Sequence, residues 1–401
     1  MLLKMSLRNI LRNRRRSLLT GIMMLFGMVI VSYSLALTDG TYNGIIDIFT
    51  TQHTGHVQVV HKEYIKNRSI YKTITNYKDV LNKITSDKQV KAVAPRIFGG
   101  ALGFHKTKTL GLEVVGIHPK LEDQATGIQK RILKGNYFEL NSEYEALIGK
   151  KVAKILKLEL GDELVLISQG ADGSIANDLF KVKAIVGTKD GGKDDYRVYL
   201  PLNTATEFYS LYNQVHEISI VLGSIKGAVD FTDELQLKKP LIARPWQIVE
   251  AEFYKAMEMD KQGNMVTLFI LILMVGVSVL NTVLMSTLER TREFGVLKAL
   301  GTQPRHLFSM IVSEAIILSL MSVFVGAFIS FGLNYYSSIY GFKFDEPMSI
   351  GGMMISEFNS ELSVGSIFYP GLMIVFTAII ASLYPAIKAS KIGVSTALGE
   401  H

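Results

Sequence analysis

Four stretches with no charged residue, 18–38, 265–288, 315–341 and 362–387, constrain this chain more than any other feature. At 1.5 Å of rise per residue, about 21 helical residues reach roughly 31 Å, the depth of a bilayer's hydrocarbon core. A charge at the centre of such a span costs roughly 2.5–3.5 kcal/mol, and all four centres lack one. Membrane-spanning helices are therefore predicted over 18–38, 262–288, 307–341 and 362–387. The chain is not wholly embedded, because 20% of its 401 residues are charged. With 48% hydrophobic residues it is too apolar for disorder, and its mean hydropathy of +0.25 sets it apart from soluble enzymes. A few spans plus a sizeable water-soluble domain fit both facts. The absence of cysteine excludes disulfides, thiolate metal sites and cysteine nucleophiles.

The net charge of +7 is concentrated where it orients a membrane protein. Residues 1–17 carry Lys4, Arg8, Arg12, Arg14, Arg15 and Arg16 with no acid and no aromatic residue, so the run is not a nucleic-acid stripe. Leu3, Leu7, Ile10 and Leu11 recur at helical spacing opposite those charges, which reads as an amphipathic helix on the inner membrane surface. The apolar run that follows is longer than a cleavable signal's core and reads as an uncleaved anchor. The positive-inside rule puts residues 1–17 in the cytoplasm and 39–261 outside. Residues 289–306, with Arg290, Arg292, Lys298 and Arg305, return inside. The loop 342–361 is acidic and lies outside, and the tail 388–401 ends inside. Glu314 is the only acid near a span's interior, about one turn from the inner interface, and reads as structural.

Between the first two spans, short alternating runs predict strands near 56–60, 112–117, 164–167, 180–186, 197–200 and 217–221. Helices are predicted over 78–84, 143–156 and 204–211, which makes this domain α+β rather than a regular βα alternation. Trp246, Val249, Phe253 and either Ala256 or Met257 form a stripe that predicts a stalk helix over 246–261, joined past Gly263 to the second span.

Motifs for catalysis or metal binding do not emerge. The loop 187–194 nearly fits G-x-x-x-x-G-K-[ST], but Asp194 stands where the magnesium-binding hydroxyl belongs and Asp195 adds a second repelling carboxylate. It reads as an exposed hairpin turn. His53, His56 and His61 match no zinc spacing, and neither G-x-S-x-G nor H-E-x-x-H appears. The informative segment is the inner loop, where Phe294, Leu297 and Leu300 recur every third residue, predicted on one helical face, behind Glu289, Arg290, Arg292 and Glu293. Gly301 is placed to end that helix in a left-handed conformation, and Pro304 to stop the same turn resuming. From these residues alone it reads equally as an interfacial connector or as a coupling helix seated in a cytoplasmic partner. In the third span, Ser322, Gly326 and Ser330 form a small-residue seam suited to close helix packing.

Residues 289–301, Gly295 included, resemble the signature of the FtsX/MacB superfamily of ABC-transporter permeases. Tyr384, Pro385, Ala386 and Ala389 resemble its second signature, at the inner end of the last span. Residues 8–13 and 16–20 are similar to its leading helix. Residues 55–59, 133–135, 147–150, 160–162 and 199–202 are similar to the MacB-type core domain. Gly393 departs from the family, which often has proline there. The resemblance implies a membrane α-helical fold of four spans plus an extracytoplasmic MacB-type α+β domain. It implies a multi-pass protein of the bacterial inner membrane, without catalytic residues, metal or bound cofactor of its own.

ATP and magnesium would be bound by a separate cytoplasmic ATPase dimer, coupled through residues 289–301. A second permease, identical or paralogous, would complete the membrane unit. Four spans without a fused ATPase most resemble the lipoprotein-releasing branch, which implies lipoprotein cargo and a periplasmic carrier. Met23, Phe26, Met265 and Phe269 are then candidate acyl-chain contacts, with plain lipid-facing as the competing reading. Export of peptides or drugs through an adaptor and an outer-membrane channel, and regulation of a cell-wall hydrolase, are the alternatives.

Overall fold

The computed structural model describes residues 8–10, 12, 14–139, 141–187, 193–350 and 353–393. The amphipathic pattern of residues 1–7, the loop core 188–192 and the tail beyond 393 lie outside the described residues. The chain forms two compact units. One comprises residues 1–43, 257–343 and 357–401, the other 44–256 and 344–356.

The first unit is helical. Among the described residues, four helices are long and apolar enough to cross a membrane: α1 (Arg14–Phe49), α2 (Ala251–Glu289), α4 (Pro304–Tyr340) and α5 (Val364–Lys391). A short helix, α3 (Thr291–Ala299), joins α2 to α4. Small residues set the packing. Ala315, Ser319, Ser322, Gly326, Ser330, Asn334 and Ser337 recur every three or four residues along α4, and all are buried. A Cβ at Gly326 would lie 2.8 Å from Met28 Cγ on α1, so this face of α4 accepts the methionine only because it is glycine. Met24 and Met28 pack with Val279, Ile374 and Ala378, which draws α1, α2 and α5 into one core.

The second unit is built on a ten-stranded sheet. Its strands are β1 (Val57–His61), β2 (Val90–His105), β3 (Lys108–Ile117), β4 (Ile132–Gly135), β5 (Glu145–Gly149), β6 (Glu163–Gln169), β7 (Ile175–Val186), β8 (Arg197–Pro201), β9 (Glu217–Leu222) and β10 (Leu241–Pro245). The order is β10-β1-β9-β2-β3-β8-β5-β7-β4, with β6 bridging β2 and β7. Val115, Ile117, Phe138, Leu147, Val186 and Tyr199 form a buried core cluster at the β3–β8–β5 centre.

Several sequence expectations need correction. Residues 143–156 are not one helix. Ala146, Leu147 and Ile148 extend as β5 between β7 and β8, and only Lys150–Leu156 is helical. Pairing on both sides overrides the helical preference of that run. Gly149 permits the switch, since a Cβ there would strike the backbone carbonyls of Asp194 and Asp195. The 16-residue β2 lies outside the predicted strands, and it carries Gly99 and Gly100 in its middle. Gly99 makes room for the Tyr209 ring. The stalk is not continuous from 246: a short helix, Trp246–Val249, ends at Glu250 (φ −108°, ψ 48°), and α2 then runs unbroken past Gly263. Residues 342–361 hold two paired strands, Phe342–Ile350 and Met353–Phe358, rather than a plain loop.

Asp194 and Asp195 are buried rather than on an exposed turn. Arg131 donates to Asp194 at 2.6 Å and the Tyr199 hydroxyl donates to its other oxygen at 2.6 Å. Both aspartates sit in a short helical turn, Lys193–Tyr196, where they belong to a structural ion-pair site.

His216, fully buried, accepts the Phe98 amide through Nδ1 at 3.0 Å and lies 3.2 Å from the Ile70 carbonyl through Nε2. Burial pushes its pKa down to about 4. The unfolded imidazole takes a proton near pH 6.5, the folded one only near 4, so stability is complete above about 6.5 and falls as pH drops toward 4. The loss reaches about 3 kcal/mol. Thermal unfolding of the intact chain, followed by the fluorescence of Trp246, is expected to show that slope, and His216→Gln to flatten it. An unchanged slope would remove His216 as its source.

Candidate functional site

The site lies where α2, α3, α4 and α5 meet. Arg290 stands between α2 and α3, and its side chain is buried. Its Nη1 donates to both oxygens of Glu314 on α4 at 3.1 and 3.2 Å, and its Nε donates to Glu293 at 3.2 Å. The guanidinium also covers the Phe294 ring at 5.1 Å. Asn9 adds a third bond to Glu314, at 2.6 Å. Glu314 is therefore the anchor of the α2–α3 corner.

Phe294 is 1% exposed and packs against Leu307, Met310 and Ile311 of α4 and against Ala386 and Ala389 of α5. The two separated signatures thus meet in space, and the alanines of the second leave room for the aromatic ring of the first. Pro385 is buried in α5, whereas Tyr384 is exposed. Lys298 donates to the carbonyls of Ser390 and Ile392 at 2.9 and 2.6 Å, satisfying acceptors that the end of α5 leaves unpaired.

Arg12 pairs with Glu293, and Arg16 with Glu289. Both pairs are solvent-exposed, so each adds little stability. Their signal in the sequence is a matching spacing: Arg12 and Arg16 are four residues apart, as are Glu289 and Glu293 across the α2–α3 corner.

The three-residue apolar spacing does not put Phe294, Leu297 and Leu300 on one face. Each step of three falls about 60° short of a full turn. Phe294 and Gly295 are buried, Leu297 is half-buried, and Leu300 is 79% exposed. Arg292, Val296 and Leu300 form the outer face of the segment. Gly301 (φ +90°) caps α3 as expected: its amide bonds Lys298 O and the Thr302 amide bonds Leu297 O, both at 3.0 Å. Pro304 does not merely block the helix. It occupies the first turn of α4, where a missing N–H costs nothing.

Of the other candidates, Ser322, Gly326 and Ser330 lie in the buried α4 seam. Met23, Phe26, Met265 and Phe269 are exposed on α1 and α2, while Met24 and Met28 of the same run are core. His56 is buried and accepts the Leu222 amide at 3.1 Å. Among the described residues, no three histidine, aspartate or glutamate side chains gather as metal ligands.

Four apolar helices, with a mixed α+β domain between the first and second, define the class: a multi-pass membrane protein. The profile described as MacB-like periplasmic core domain matches residues 17–235, and that described as FtsX-like permease C-terminal matches 265–394. The chain belongs to the FtsX/MacB superfamily of ABC-transporter permeases. It is 23% identical to an uncharacterized ABC transporter permease of Methanocaldococcus jannaschii, over 98% of this chain and 96% of that one. It is 19% identical to the lipoprotein-releasing system transmembrane protein LolE of Haemophilus influenzae, over 82% of each chain. A macrolide export ATP-binding/permease protein MacB of Burkholderia thailandensis is 25% identical over 44% of this chain and 28% of its own. The solved periplasmic region of MacB from Actinobacillus actinomycetemcomitans aligns at TM-score 0.36 and 13% identity, over 49% of this chain and 91% of that one.

Proposed function

We propose that this permease is a passive transmission subunit working on lipoproteins. A separate cytoplasmic ATPase dimer binds ATP and magnesium, and the face of Arg292, Val296 and Leu300 seats in it. Because Arg290, Phe294 and Lys298 tie α3 to α4 and α5, movement of α3 is passed to the spans rather than absorbed in a loose loop. Both termini lie in the cytoplasm of a bacterial inner membrane, and the α+β domain works on the periplasmic side, an orientation supported by the basic residues around α1 and α3.

The cargo reading rests on one observation: the LolE alignment spans four-fifths of both chains, whereas the MacB alignment covers 28% of MacB. Acyl chains would enter beside Met23, Phe26, Met265 and Phe269, which are 46%, 59%, 71% and 65% exposed. A second permease faces that entrance, and a soluble carrier receives the cargo.

The test uses proteoliposomes holding the chain, its ATPase and its partner permease, loaded with a triacylated lipoprotein. ATP is expected to release the acylated protein to a soluble carrier and to leave an unacylated version untouched. Absence of ATP-dependent release of the acylated form would overturn the cargo reading.

A further inference from the structure

The α+β domain contains a cavity of about 210 Å³ unrelated to the α3 site. Strand register places its floor on one face of the sheet. Arg244 of β10 stands opposite Gln58 of β1, Val60 opposite Glu217 of β9, and Glu217 opposite Arg96 of β2. Residues two apart on a strand share a face, so these side chains converge. Tyr64 and Arg68, from the segment after β1, line the cavity with them, and Arg197 of β8 closes one side.

Four arginines thus meet two lining carboxylates, Glu217 and Glu250. Two of the arginines are committed to structure. Arg96 grips Glu122 through two bonds, at 2.9 and 2.7 Å, and reaches Glu217 at 3.1 Å, while Arg197 holds Glu113 at 2.6 Å. The other two are not neutralised in this way. Arg244 donates to the Ile248 carbonyl at 3.0 Å, and burial, then the charge of Arg68, push its pKa down. Arg68 is 76% exposed, with Glu113 no nearer than 3.9 Å. Two polar side chains also line the wall. Gln58 and Tyr64 are 8% and 7% exposed, and neither side chain has a hydrogen-bond partner among the described residues. Both are therefore free to bond an occupant of the cavity.

We propose that this cavity binds the phosphate group of an organic phosphate, held between Arg68 and Arg244 and oriented by Tyr64 and Gln58. Two guanidinium forks, an amide and a phenol offer more donors than one carboxylate accepts, and they suit the several oxygens of a phosphate. A single water needs only ~10–15 Å³, so the volume leaves room for the substituent. The site stands independently of the transport reading, and the phosphate comes either from a lipid headgroup or from a soluble metabolite.

The test titrates the full-length chain with glycerol 3-phosphate, in nanodiscs of phosphatidylglycerol and, separately, of a phosphate-free galactolipid. Binding is read from the fluorescence and thermal midpoint of Trp246, the single tryptophan, which is 5% exposed. Saturable binding in galactolipid discs is expected. Loss of that response in phosphatidylglycerol discs identifies the lipid headgroup as occupant, and an equal response in both identifies a soluble phosphate. Tyr64→Phe, which keeps the ring stacked on His216, is expected to weaken binding roughly tenfold, and Arg68→Gln with Arg244→Gln at least about a hundredfold. Lys226→Gln, a charge control outside the cavity lining, leaves it unchanged. No response in galactolipid discs, or an equal response from the double variant, would overturn the proposal.

Discussion

Replacing Arg290 with glutamate is expected to unseat α3 from the membrane helices. The substitution removes the cation shared by Glu293 and Glu314 and puts a third carboxylate beside them. Breaking a buried ion pair by removing one partner costs about 3–5 kcal/mol. Thermal unfolding in detergent should fall accordingly, and amide exchange across α3 should rise. Arg290→Met with Glu314→Met is expected to regain most of the loss, because replacing both partners with apolar groups of similar size leaves no buried charge unpaired. If Arg290→Glu unfolds like the parent chain, the corner is held by Phe294 and Lys298 rather than by the ion pair. Charge reversal at Arg290 therefore cannot separate coupling from folding.

The outer face of α3 and its cap allows that separation. Val296→Asp with Leu300→Asp is expected to abolish ATP-driven transport while leaving the unfolding temperature of the chain essentially unchanged. Val296 is 46% and Leu300 79% exposed, so neither contributes much to the fold, and surface substitutions of this kind shift stability by about 0.5 kcal/mol or less. In a partner's groove the same side chains would each gain about 1.5–3 kcal/mol on burial. Losing both weakens docking by a hundredfold or more, at about 1.4 kcal/mol per factor of ten. The readouts are co-purification of the ATPase and transport in the reconstituted system. Wild-type transport by this double variant would remove α3 from the coupling path.

The parts of the molecule legible in the sequence were those set by one-dimensional pattern. Uncharged runs located the four long helices, and Gly301 located the end of α3 because left-handed backbone favours glycine. What depends on a distant partner was not legible. Ala146, Leu147 and Ile148 look helical until β7 and β8 are placed on either side, and the need for glycine at 99 shows only once the Tyr209 ring occupies the space above it. At the coupling site the residue types were identified but their division of labour was not. A spacing of three cannot distinguish the buried Phe294 from the exposed Leu300, and nothing local to Arg290 announces Glu314, 24 residues away. The complementary spacings of Arg12 and Arg16 with Glu289 and Glu293 become informative only once the two helices are known to face each other.

The chain contains no cysteine, so a single introduced thiol reports one location without background. With Leu300→Cys and a short thiol-to-amine cross-linker, the cytoplasmic ATPase is expected to be captured, and ATP to change the yield. Ile175→Cys, 81% exposed in the α+β domain, is expected to capture none. Capture of the ATPase at Ile175→Cys but not at Leu300→Cys, or ATP hydrolysis by the purified chain alone, would contradict a permease driven through α3 by a separate ATPase.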